Sequence, residues 1–159
     1  KEVFLERYAQ LFCGNGFIVL VFDYRNFGES EGDHRQHLEP YEQIKDYRNA
    51  ITWVSTLPEV NEEQIGIWGT SYSGGHVLHI AAVDRRVKAA VAQVPTINGR
   101  KGAARKMGYD QLASFVEKLE SDRIQRYFTD KQQMLPVVSL HEPCAQPQCP
   151  RLQRYRCSL

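Results

Sequence analysis

The sequence predicts an α/β fold: a parallel sheet of βαβ units with helices on both faces, followed by a helical cap segment. Three observations carry that expectation. Apolar runs of strand length alternate along the chain with stripes at helical spacing, in the order that parallel crossovers need. One run, Phe17-Ile18-Val19-Leu20-Val21-Phe22, is apolar throughout, as in a strand covered on both faces. Short Gly, Pro, Asn and Asp clusters separate the segments.

The elements follow in order. Phe4, Tyr8, Leu11 and Phe12 recur at helical spacing, and Gly14-Asn15-Gly16 supplies residues that tolerate a left-handed helix end. The apolar run 17–22 reads as a central parallel strand. Residues 23–33, rich in Gly, Asn, Ser and charge, form the loop at its C-terminal end. Pro40 opens an amphipathic crossover helix marked by Tyr41, Ile44, Tyr47, Ile51 and Val54, and Leu57-Pro58 closes it. Residues 64–69 form a second short strand and 77–83 a helix, leaving seven residues between them for a tight strand-to-helix turn. Residues 87–94 give a third strand, ended by Pro95.

Beyond Pro95 the pattern changes to a long charged helical stretch, expected to form helices laid over the sheet, with Leu112, Phe115, Val116, Leu119, Ile124 and Phe128 as its apolar stripe. The expected organisation is a sheet core over 1–95, a helical cap or lid over 96–135 and an irregular tail over 136–159. The tail holds Pro136, Pro143, Pro147, Pro150 and three cysteines without periodicity.

Composition narrows the function classes. The 159 residues are 42% hydrophobic and 25% charged, ordinary for a globular domain able to bury a core. A net charge of +1 creates no general attraction for nucleic acid or an anionic membrane, so neither is an expected partner. No apolar run approaches the roughly 18 residues of a membrane span. Lys1-Glu2-Val3-Phe4 lacks the basic-then-apolar order of a signal peptide, and the localisation is taken as cytoplasmic by default. Cys144, Cys149 and Cys157 do not fall at paired C-x-x-C spacing, and His141 is the one imidazole nearby, so neither a metal nor another cofactor is expected.

The chemistry is concentrated in Gly69-Thr70-Ser71-Tyr72-Ser73-Gly74-Gly75, which lies between a strand and a helix. A nucleophile on such a bend stands clear of the sheet, and small residues two positions either side keep the backbone from colliding with its neighbours. Gly69 and Ser73 hold those positions, and Gly74 and Gly75 let the helix start pack closely. Position 73 makes the motif G-x-S-x-S rather than G-x-S-x-G. A phosphate-cradling loop also uses such turns, but there is no G-x-x-x-x-G-K-[ST], and no G-x-G-x-x-G follows a strand. With Ser71 as the attacking group, the backbone N–H of Tyr72 would face the developing oxyanion.

The runs Phe22-Asp23-Tyr24-Arg25-Asn26-Phe27-Gly28-Glu29-Ser30 and Gly66-Ile67-Trp68-Gly69-Thr70-Ser71-Tyr72-Ser73-Gly74-Gly75-His76 resemble α/β-hydrolases over residues 1–140. The likeness is to the branch of dienelactone hydrolases, Xaa-Pro dipeptidyl-peptidase-like hydrolases and fungal polyketide transferases. There a D-x-R-G-x-G-x-S loop precedes the nucleophile, and Asn26 stands where that loop usually has Gly. The resemblance implies a serine hydrolase acting on an ester, thioester or amide of a small-molecule acyl substrate, or an acyltransferase. It also implies an acid and then a histidine late in the chain.

Neither partner is evident in this sequence, which reads as a piece of a longer protein lacking the second oxyanion donor, the acid and the base. His76 and His79 lie on the helix leaving the bend and are expected to serve packing or solvent. His141 precedes Glu142, the reverse of the family's order. Asp23 and Arg25 are expected to hold structure, and His34 and His37 to face solvent.

Overall fold

Helix α1, Leu5–Gly14, turns its aromatic residues toward the sheet. Tyr8 lies 4.6 Å and Phe12 6.4 Å, centroid to centroid, from the ring of Trp68. Asn15 and Gly16 end the helix as expected, the Asn15 amide donating to Leu11 O at 2.8 Å and Gly16 taking φ +86°. The computed structural model describes residues 5–129 together with Lys131, Gln133 and Met134. His141 and the three tail cysteines lie outside the described residues, as does the tail segment 136–159.

Residues 17–22 depart from expectation. The run forms no strand, and Phe17 is 63% exposed. A ladder belongs to two segments, and among the described residues this run has no neighbour to pair with. Its last residues still pack: the Phe22 ring meets Tyr24 and Tyr47 edge-on, 5.2 Å from each.

Helix α2, Pro40–Ser55, starts where Pro40 predicts, with Glu39 as N-cap accepting from Tyr41 N at 3.1 Å. A 3₁₀ turn, Glu62–Gln64, capped by Asn61, leads into β1, Gly66–Thr70. No seven-residue turn follows. Helix α3, Ser71–Val83, begins at the residue after the strand, because Ser71 absorbs the whole change of direction in its own backbone. Asp84 ends the helix, and β2, Ala89–Gln93, returns parallel to β1 with Gly66 opposite Ala89 and Thr70 opposite Gln93.

Alternation along β1 puts helices on both faces. Ile67 joins Ile51 of α2, Ile65 and α3's Val77 and Ile80 in the core, while Trp68 points the other way to α1. Val77 and Ile80 are completely buried, a burial worth about 1.5–3 kcal/mol each. Tyr47 ties α2 to the strand by donating to Trp68 O at 2.9 Å, and burial pushes its phenol up to about 12, so it remains a donor.

The described residues divide into two compact units, one through Ile97 and one beginning at Asn98. In the second, the helical stretch is two helices, α4, Gly99–Met107, and α5, Tyr109–Thr129, broken at Gly108, whose φ of +85° no helix accommodates. Of the predicted stripe only Leu112 is buried; Leu119, Ile124 and Phe128 are exposed. No helix among the described residues is long and apolar enough to cross a membrane.

Candidate active site

Strand β1 delivers Ser71 to the surface at a bend made within one residue. Thr70 is still extended, with φ −117° and ψ 152°, and Ser71 has φ +54° before the helix begins. A left-handed backbone at a residue with a Cβ is uncommon and costs on the order of 1–3 kcal/mol. Ser71 is exposed, at the N-terminal end of α3, and its hydroxyl forms no hydrogen bond among the described residues. The N–H of Tyr72 is among the first of the helix, which have no intrahelical acceptor.

The small residues around Ser71 are demanded by contact. A Cβ on Gly69 would lie 2.7 Å from Ser73 O and 2.8 Å from a methyl of Val77, both closer than side chains tolerate. A Cβ on Gly74 would come within 3.1 Å of Pro95 Cα, and one on Gly75 within 2.5 Å of Thr96 O. The two glycines therefore admit the chain that leaves β2, and Thr96 N donates to Ser71 O at 2.9 Å. Ser73, where the motif ordinarily has glycine, uses its hydroxyl: Oγ lies 2.8 Å from the Tyr24 hydroxyl, across 49 positions of sequence. Burial pushes the Tyr24 phenol far above its usual range, and the bond to Ser73 pulls the other way.

Beneath the bend the first histidine of α3 is occupied. His76 is buried, with Nε2 2.9 Å from Gln43 Oε1 and its ring edge-on to Tyr72 at 5.0 Å and Tyr24 at 6.0 Å. Burial, then the neighbouring His79, lowers its pKa and favours the neutral ring. His79 itself is exposed. Tyr72 is partly exposed; burial and then Glu39 raise its phenol.

The loop before α2 holds its own shape. Asp23 takes Glu29 N on its carboxylate at 3.2 Å and Ser30 Oγ on its carbonyl at 2.6 Å, closing the turn around Gly28. Arg25 clasps Asp46 of α2, with Nε and Nη2 at 3.0 and 2.6 Å from Oδ1, and also Glu42. Asn26 has φ +68°, its N–H reaching Glu31 O at 2.9 Å and its side-chain amide His37 O at 3.2 Å. Asn is the residue other than glycine that adopts this conformation most readily, which explains the departure from the loop's usual Gly. His34 is exposed and His37 half-buried, their rings 6.4 Å apart.

Tyr24, Val94 and Thr96 were not singled out by the sequence, although the serine at position 73 was a visible sign that something there needs a hydroxyl. Among the described residues no group of three His, Cys, Asp or Glu could hold a metal ion.

Comparison with known proteins supplies the context of this bend. The thiohydrolase aneE of Aspergillus aculeatus is 32% identical over 147 residues, covering 92% of this chain and 42% of that one. The polyketide transferase grgF of Penicillium sp is 32% identical over 139 residues, covering 87% and 45%. The crystal structure of the α/β-hydrolase GrgF from Penicillium sp. sh18 superposes with a TM-score of 0.70 at 32% identity, over 87% of this chain and 46% of that one. The chain thus spans less than half the length of these relatives. The profile of the X-Pro dipeptidyl-peptidase (S15) family matches residues 3–141. With its parallel β1–α3–β2 unit and a left-handed serine where strand passes into helix, the chain belongs to that family and has an α/β-hydrolase fold.

Proposed function

We propose that Ser71 is the nucleophile of an acyl-transfer reaction on a small-molecule thioester or ester, with water as the final acceptor. One observation carries this reading: the exposed Ser71 hydroxyl stands on a left-handed residue between a parallel strand and a helix. That placement keeps the attacking oxygen clear of the sheet. In the first step Ser71 Oγ bonds to the acyl carbon while its proton passes to a base, and the thiol or alcohol leaves with a proton. Water then cleaves the acyl-enzyme and restores the hydroxyl. As charge develops on the carbonyl oxygen, the Tyr72 N–H at the helix start donates to it. The resemblance assigns the base to a histidine late in the chain; His76, committed to Gln43, is not offered for that role.

The names of two relatives, thiohydrolase and polyketide transferase, share an activated acyl donor and differ in acceptor. The transferase reading replaces water with a nucleophile on a second substrate and leaves the role of Ser71 unchanged.

The test is labelling of the full-length protein with a fluorophosphonate probe. Labelling is expected in the parent and absent in Ser71→Ala, with thioester hydrolysis falling by on the order of 10⁴-fold or more, because triad members act as a unit. Labelling that persists in Ser71→Ala assigns the nucleophile elsewhere.

A further inference from the structure

The chain leaves β2 in a conformation that its residues resist. Val94 has φ +46°, left-handed for a β-branched side chain that also precedes a proline. No burial offsets this, since Val94 is 81% exposed and Ile97, three residues on, is 79% exposed. A glycine would make the same turn without strain. Strain of this kind concentrates at sites where a side chain must be held in one place.

The turn is bolted to the bend of Ser71. Thr96 N donates to Ser71 O at 2.9 Å, and Gly74 and Gly75 make room for Pro95 and Thr96. The register pairs Thr70 with Gln93, so the next residue of each strand, Ser71 and Val94, leaves the sheet beside the other. Both do so with positive φ, +54° and +46°. Val94 is therefore an exposed apolar neighbour of the serine, fixed by the same backbone that fixes the serine.

We infer that Val94 is a specificity-determining residue, the wall against which the hydrocarbon part of the acyl group lies when its carbonyl meets Ser71. The substrate class is thus an acyl group with an apolar chain next to the carbonyl. This rests on Ser71 being the nucleophile. Each methylene removed from water against that wall favours the longer acyl chain by up to about fourfold in kcat/KM.

The experiment compares kcat/KM for p-nitrophenyl acetate and p-nitrophenyl hexanoate in the full-length protein and in its Val94→Gly and Val94→Asn variants, both of which tolerate positive φ. The hexanoate-to-acetate ratio is expected to fall by about four- to tenfold in each variant. A general loss of folded enzyme lowers both rates together and leaves the ratio unmoved. A ratio equal to that of the parent overturns the assignment, and Val94→Asn alone decides the matter should Val94→Gly not fold. The Ser71→Ala control separates the two readings: ester hydrolysis that survives it removes the nucleophile, whereas its loss beside an unmoved ratio removes only the wall.

Discussion

At the scale of single residues, the bend depends on atoms that are absent. Gly69 has no room for a methyl group, because the nearest atom to a Cβ there is the backbone oxygen of Ser73, which cannot rotate away. Gly69→Ala is expected to destabilise the protein by about 1–3 kcal/mol, as overpacking does. It should also slow fluorophosphonate labelling of Ser71, and denaturant midpoints measured beside labelling rates check both effects. Unchanged midpoints and rates would mean that the strand and helix separate easily. Much of this turn was legible in the sequence, since Gly69, Gly74 and Gly75 are local requirements of one strand-to-helix bend. Val94 was not, because nothing in a valine before a proline announces a left-handed backbone.

Between elements, the Tyr24 to Ser73 contact joins the loop before α2 to the helix that starts at Ser71. Because each hydroxyl is the other's partner, losing either breaks the same bond. Tyr24→Phe and Ser73→Ala are each expected to cost about 1 kcal/mol, and the double variant little more than either alone. Additive losses in a double-mutant cycle would show that the two side chains act independently. No local pattern pairs residues 49 positions apart; only the serine in a glycine's place hinted that the position was in use. Strand formation at 17–22 failed for the same reason, since an apolar run specifies burial but not a neighbour. By contrast α1 and α2 were readable, their caps and stripes being local, whereas the place where the later helical stretch divides is set by the positive φ of Gly108.

For the whole molecule, pH stability turns on Asp84. It is buried at the end of α3, bonded to Arg86 at 2.6 and 2.9 Å and to Arg48 of α2 at 3.1 Å. Hydrogen bonds from Arg86, and secondly Arg48, hold its carboxyl well below the usual range, against the opposing effect of burial. A depressed folded-state pKa means that the contribution is complete above the unfolded value of about 4 and is lost as pH falls below it. Asp84→Asn is expected to lower stability at pH 7 by about 1–3 kcal/mol and to flatten its decline below pH 4, as followed by denaturant melts. A parent and variant with parallel pH profiles would assign acid sensitivity to other carboxylates. Such long-range ties also set limits on redesign. The carbonyl of Ser71 is hydrogen-bonded to the amide of Thr96, so the backbone that carries the Ser71 hydroxyl is stitched to the turn beside it. With Ser71 in its proposed role, selection for a bulkier cargo reshapes that turn only by also nudging the serine oxygen, and preference and reactivity are expected to drift as one trait.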